Sequence, residues 1–253
     1  MGHDGMIAAG RGVVRCPAMD APADAEAIRL ARDLRPQAFG RRGADRIAEP
    51  VIEPAWPGQR VIVAVDGQTV VLLEDGNPVE GHPDIGTHLA RQLARAADAA
   101  ILDGYLTKQV VNEDAVIYTG TDALPSTGKL IAQSMVGVRR NRAEEAAEAL
   151  EATTKARMFD DEDPVNLVIT DLLWLDGDWL MDVPLLERKR VLESILPGDD
   201  LVRAGLYVRP PIATWIGSWR AQGFVGITFK EANSRYRSGA VADDWANSSM
   251  PRR

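Results

Sequence analysis

The chain has 253 residues, 45% hydrophobic and 26% charged, with a formal net charge of −8 at pH 7. That balance suits a soluble globular protein with a substantial core, built as one large domain or two small ones. It argues against a protein whose main task is gripping DNA, because an acidic surface repels phosphate backbones at long range. The most apolar stretches, residues 61–65 and 167–175, are too short for a membrane span, which needs about 20 apolar residues. No apolar signal core follows the first charges, so a cytoplasmic location is expected. The single cysteine, Cys16, reads as an incidental reduced thiol. His3, His82 and His88 lack the tight spacing of metal ligands, and no metal is expected.

Residues 1–50 read as an N-terminal adaptor with one short amphipathic helix over 21–34, Asp20 as its N-cap and Pro22 in its first turn. Arg41 and Arg42, in the loop from Gly40 to Gly43, read as solvated charge. The pattern changes at Val51, and residues 51–253 read as one domain. The β-branched runs 60–65 and 69–73 flank Asp66-Gly67 and predict a hairpin. A helix is expected over 88–99, after a Pro-Asp-Ile-Gly turn, and a strand over 100–107. A long Ala- and Glu-rich helix follows over 139–158, with the acidic run 160–163 as a loop or helix end. Residues 166–175 predict a buried strand ended by Asp176-Gly177, and 185–196 a helix closed by Pro197-Gly198. Residues 201–230 alternate short strands with one helix near 215–222. There is no internal repeat. Strands mixed with segregated helices indicate an α+β domain.

Residues 120–129 imitate a phosphate-binding loop but fail its chemistry. Seven residues separate the glycines where four are needed, and Leu130 follows the lysine where a magnesium-binding hydroxyl belongs.

An ordered series of five segments carries more information. The first is Glu53-Pro54-Ala55-Trp56-Pro57-Gly58-Gln59-Arg60, leading into the hairpin. The second is Ile101-Leu102-Asp103-Gly104-Tyr105-Leu106. The third is Thr170-Asp171-Leu172-Leu173-Trp174-Leu175-Asp176-Gly177, followed by Pro184-Leu185-Leu186-Glu187-Arg188-Lys189. The fourth is Gly223-Phe224-Val225-Gly226 with Lys230, then Ser234-Arg235-Tyr236 and Gly239. The fifth is Asp244-Trp245-Ala246-Asn247-Ser248-Ser249. In order and spacing the set resembles the ATP-dependent DNA ligase and RNA capping enzyme superfamily over about residues 51–245.

The resemblance implies an ATP-grasp-like ligase adenylation (nucleotidyltransferase) domain, with antiparallel sheets and flanking helices. It also implies vacated chemistry. Ala55 stands where the family places its nucleophilic lysine, and Pro57 where the accompanying aspartate belongs. Tyr105 replaces a ribose-contacting glutamate, and Thr170 the ring that stacks on adenine. Val225 replaces a metal-associated glutamate, and Asn247 and Ser249 two phosphate-binding lysines. An amine nucleophile is indispensable to covalent adenylation. Loss of one charge-stabilising contact typically costs about 10²–10³-fold in rate. The chain ends at Arg253, so the OB-fold domain that follows in the family is expected to be absent.

The reading that follows is a catalytically silent, ligase-like binding or scaffold protein with a protein partner, in the setting of DNA repair, with no catalytic residues and no cofactor. Two alternatives stand beside it. One is an ATP sensor without chemistry, using Glu53, Arg60, Asp103, Thr170 and Lys230, with ATP and magnesium as ligands only if the pocket still works. The other is an active ligase or nucleotidyltransferase with a displaced nucleophile, for which Lys108, Lys129 and Lys155 are candidates by type. Trp215, Trp219 and Trp245 are candidate interface residues, although core packing is the commoner role of tryptophan.

Overall fold

The protein is described by a computed structural model covering residues 25–109 and 164–250. The predicted helix over 139–158, the loop at 120–129, the acidic run, Cys16, Lys129 and Lys155 lie outside the described residues.

A large sheet forms the centre. Its strands are β3 (Gln59–Asp66), β4 (Thr69–Glu74), β5 (Asn77–Pro78), β6 (Ala99–Thr107), β7 (Asn166–Leu175), β8 (Asp178–Trp179) and β9 (Val202–Ala204). They lie in the order β5-β4-β3-β6-β7-β8, antiparallel throughout, and β9 joins parallel to β7. Three tight turns punctuate it. Gly67 takes φ +57° between β3 and β4, while Asp75-Gly76 and Asp176-Gly177 place both residues at positive φ. Such two-residue turns match the twist of the strands they join, and Asp-Gly adopts them with little strain.

A second sheet has the order β12-β10-β2, from β2 (Pro50–Pro54), β10 (Gly226–Glu231) and β12 (Trp245–Ser249). A parallel pair, β1 (Ala38–Phe39) with β11 (Val241–Ala242), lies beside it.

Alternation along the strands sends residues to two faces of the large sheet. Val61, Val63, Val65, Leu102 and Leu167 meet α2 (Pro83–Leu93) through Ile85, Leu89 and Leu93, and α3 (Leu185–Ile195) through Leu192 and Ile195. Ile62, Ala64, Ile101 and Leu173 meet α1 (Glu26–Ala31) through Ala27, Ile28 and Ala31. The helical part of the adaptor thus packs into the same core as the sheet. A third cluster gathers Ile52, Trp56, Val168, Trp219, Phe224 and Ile227, with α4 (Ala213–Ala221) on its border.

The α+β class and most expected elements are present. Two expectations need correction. The helix expected over 21–34 spans Glu26–Ala31, and Ala25, in extended backbone, is its N-cap, so Asp20 and Pro22, which lie outside the described residues, do not start it. The helix expected from residue 88 begins at Pro83 and ends at Leu93, because Pro at the first position and Asp84 in the first turn form a good helix start. His82 is therefore its N-cap, and His88 lies in the helix, 2.8 Å from Asp199.

Candidate functional site

The second sheet turns one face toward the large sheet. Its register pairs Thr228 with Glu53 and Asn247, Lys230 with Val51 and Trp245, and Gly226 with Ser249. Residues two apart share a face, so Glu53, Thr228, Lys230, Trp245, Asn247 and Ser249 lie together. The backbone N–H of Ala55 donates to the Gly226 carbonyl at 2.9 Å, which extends that face by one more position. On the large sheet Arg60 stands opposite Tyr105, and Ile62 opposite Asp103, which in turn pairs with Asp171.

The residues matched to the family form one connected chain of contacts. Arg60 grips Asp103 with two bonds, Nε to Oδ1 at 2.9 Å and Nη2 to Oδ2 at 2.5 Å. Tyr236 donates its hydroxyl hydrogen to Asp103 Oδ2 at 2.7 Å, and the Gln37 N–H donates to that hydroxyl oxygen at 3.1 Å. The Thr170 hydroxyl donates to the Asp103 carbonyl at 3.3 Å, and Lys189 Nζ donates to the Thr170 carbonyl at 2.9 Å. Lys189 is also ion-paired with Glu53 Oε1, and Lys230 reaches Glu53 Oε2 at 2.7 Å. Trp245 lies under two cations, Lys230 Nζ at 4.5 Å and the Arg60 guanidinium at 6.0 Å from its ring centroid. Its indole N–H donates to Ser234 Oγ at 3.0 Å.

Burial sets the electrostatics. Glu53 and Lys230 are each 2% exposed and Lys189 1%. Burial alone would raise the Glu53 pKa, but the two lysines outweigh it and hold the carboxyl below its ordinary value of 4.5. Burial pushes the Lys230 ammonium below its ordinary value, against the pull of Glu53. Burial also drives the Tyr105 phenol up to about 12, with Arg60 opposing.

Beside this chain lies a buried fork that the sequence reading did not assign to the site. Arg188 binds Asp171 through Nε and Nη2, both at 2.8 Å, with both side chains fully buried. A charged residue inside a ten-residue apolar strand is itself a signal that a cation must meet it. Arg188 also falls in line with Leu185, Leu192 and Ile195 on the inner face of α3.

The replaced positions have a different character. Ala55 and Tyr105 are half-buried, Pro57, Asn247 and Ser249 are exposed, and Val225 is 80% exposed. Thr170 is 1% exposed and packs so tightly that a Cβ on Gly205 would lie 3.2 Å from its Cγ2. It presents no ring and no open platform for a base. Lys108 lies at the end of β6, lining a cavity of about 340 Å³ with Pro57, Gly58, Gln59, His82 and Leu106. Of the tryptophans, Trp219 and Trp245 are core residues, at 1% and 0% exposure, and Trp215 is half-buried. Among the described residues no three of His, Cys, Asp and Glu cluster as metal ligands, and no helix is long and apolar enough to cross a membrane.

A family model for the ATP dependent DNA ligase domain matches residues 44–247. The ligase domain of LigD from M. tuberculosis is similar in structure, with a TM-score of 0.56 at 22% identity, over 86% of this chain and 60% of that one. A mycobacterial DNA ligase D complexed with ATP and MES gives a TM-score of 0.56 at 21% identity, over the same shares. The chain therefore spans 60% of the length of these ligase structures. No curated protein matches.

Proposed function

The chain belongs to the ATP-dependent DNA ligase domain family, and we propose that it is a member that does not adenylate itself and serves instead as a binding or scaffold domain for a protein partner. The observation that carries this reading is the state of the amines around position 55. Ala55 offers a methyl group. Two buried lysines, Lys189 and Lys230, are both paired with the Glu53 carboxylate. An amine that attacks a phosphorus atom must be able to approach it, and an amine buried against a carboxylate is not free to do so.

The electrostatic support for such a reaction is reduced at the same face. Val225, Asn247 and Ser249 bring no charge to positions where the family's chemistry needs carboxylate and ammonium groups. The burial of Thr170 argues against an ATP sensor, because a nucleotide base gains much of its affinity by stacking on an open ring. The net charge of −8 weighs against direct DNA binding, and we assign the chain no cofactor. Incubation with labelled ATP and magnesium tests the reading. No label should remain on the denatured protein, and labelled protein would overturn the proposal.

A further inference from the structure

Among the described residues, only one of the two outer strands of the second sheet is closed. On β2, Ile52 and Val208 exchange N–H···O bonds of 2.9 and 2.8 Å. On β12, the register with β10 fixes which backbone groups are spent. The Glu231 N–H donates to the Asp244 carbonyl and the Met250 N–H to the Val225 carbonyl, each bond marking a hydrogen-bonded pair. Such pairs recur at every second residue. Ala246 and Ser248 therefore also turn their N–H and C=O groups toward β10, and Trp245, Asn247 and Ser249 turn theirs outward. The Trp245 carbonyl accepts the Gly40 N–H at 2.9 Å. Among the described residues no backbone group meets Asn247 or Ser249, and both are exposed. The Ser249 carbonyl meets the neighbouring Ser248 hydroxyl at 3.3 Å.

Unpaired edges invite pairing, and folded proteins usually blunt them with charge, proline or short length. The large sheet ends in two-residue strands, β5 and β8. β12 has five residues, Trp245-Ala246-Asn247-Ser248-Ser249, none of them charged and none proline. In a chain of net charge −8, an uncharged edge adds no repulsion of its own when two copies meet. The edge is also complementary to itself. When two β12 strands run antiparallel about an axis at Ser248, Asn247 of each copy lies opposite Ser249 of the other, and each such pair exchanges both N–H···O bonds. No outward group of Asn247 or Ser249 is left over. This register needs neither Trp245, whose carbonyl is taken, nor Pro251, which has no N–H. We infer that β12 is a self-association edge, through which a second copy of this chain joins the two small sheets into one continuous sheet. This inference does not rest on the loss of adenylation.

Sedimentation equilibrium of the full chain, from micromolar to millimolar concentration, tests it. The mean mass should rise from that of one chain, 27.5 kDa, toward that of two. Ser249→Pro should abolish the rise. The Ser249 N–H points away from β10, so the proline removes no bond of the fold. Ser248 lies on the axis, opposite itself, so Ser248→Lys and Ser248→Asp should each weaken association by about tenfold or more. An equimolar mixture of these two variants should recover it to within about threefold of wild type, since lysine then faces aspartate. Circular dichroism shows that the variants are folded, and if Ser249→Pro is not, the Ser248 variants decide. Three results would overturn the inference: a single chain's mass at every concentration, association that survives both Ser249→Pro and Ser248→Lys, or a charge-swapped mixture that stays monomeric. A monomer whose β12 edge is closed by an extended segment of a different protein overturns it as well.

Discussion

Replacing Arg188 with Met tests how much the Asp171 fork contributes to the fold. The substitution removes two charge-assisted bonds to Asp171, a bond of 2.5 Å to the Val183 carbonyl and one of 3.3 Å to the Ser234 carbonyl. Breaking a buried pair by removing one partner costs about 3–5 kcal/mol, mostly because the other charge is left uncompensated. Two features place this site at the lower end of that range. Asp171 keeps the Leu172 N–H, and Lys230 and Lys189 still attract it. A loss of about 3 kcal/mol is expected, which for a domain of this size lowers Tm by roughly 6–12 °C. Chemical denaturation with a matched thermal scan measures both quantities. Asp171→Asn in the Arg188→Met background should recover part of the loss, since the stranded charge is gone. A single variant within about 1 kcal/mol of wild type would refute the reasoning, given that central estimate.

Gly58→Ala should be strongly destabilising, by more than about 1 kcal/mol, because Gly58 has φ +109° and a Cβ there would collide with the Leu106 carbonyl; urea unfolding reads it. Tyr236→Phe should cost about 1–3 kcal/mol, since it strips Asp103 of a buried donor and the Gln37 N–H of its acceptor; the same unfolding assay checks it. Stability should fall on acidification below the ordinary carboxylate range. Glu53 and Asp171 have folded pKa values below their ordinary 4.5 and 3.8, so the unfolded chain binds more protons as pH drops, and their contribution, complete above those values, is lost as pH falls through the folded ones. Glu53→Gln should flatten part of that acid limb in a pH series of melts.

The architecture was legible where local chemistry and tertiary packing agree. Asp66-Gly67 and Asp176-Gly177 mark real turns, and the runs at 60–65 and 166–175 are central strands because their side chains are buried. The helix at Pro83 was misplaced for a local reason: Pro-Asp reads equally well as a turn, and the burial of Ile85 that makes it a helix start depends on the sheet. The candidate site was legible as a set of positions and less so as a set of partners. Glu53, Arg60, Asp103, Thr170 and Lys230 do form one chain of contacts, yet its link is Lys189, which reaches it from a helix distant in sequence. The Arg188–Asp171 fork was missed because pairing across 17 residues is set by how α3 lies on β7.

Intact mass after incubation with ATP and magnesium, with Ala55→Lys measured in parallel, decides whether the chain adenylates itself. Wild type should gain no AMP, and Ala55→Lys should gain none either, because Val225, Asn247 and Ser249 still supply no charge to the attack. An AMP adduct on the wild-type chain would contradict the claim outright, and one on Ala55→Lys alone would show that the rest of the pocket had kept its chemistry.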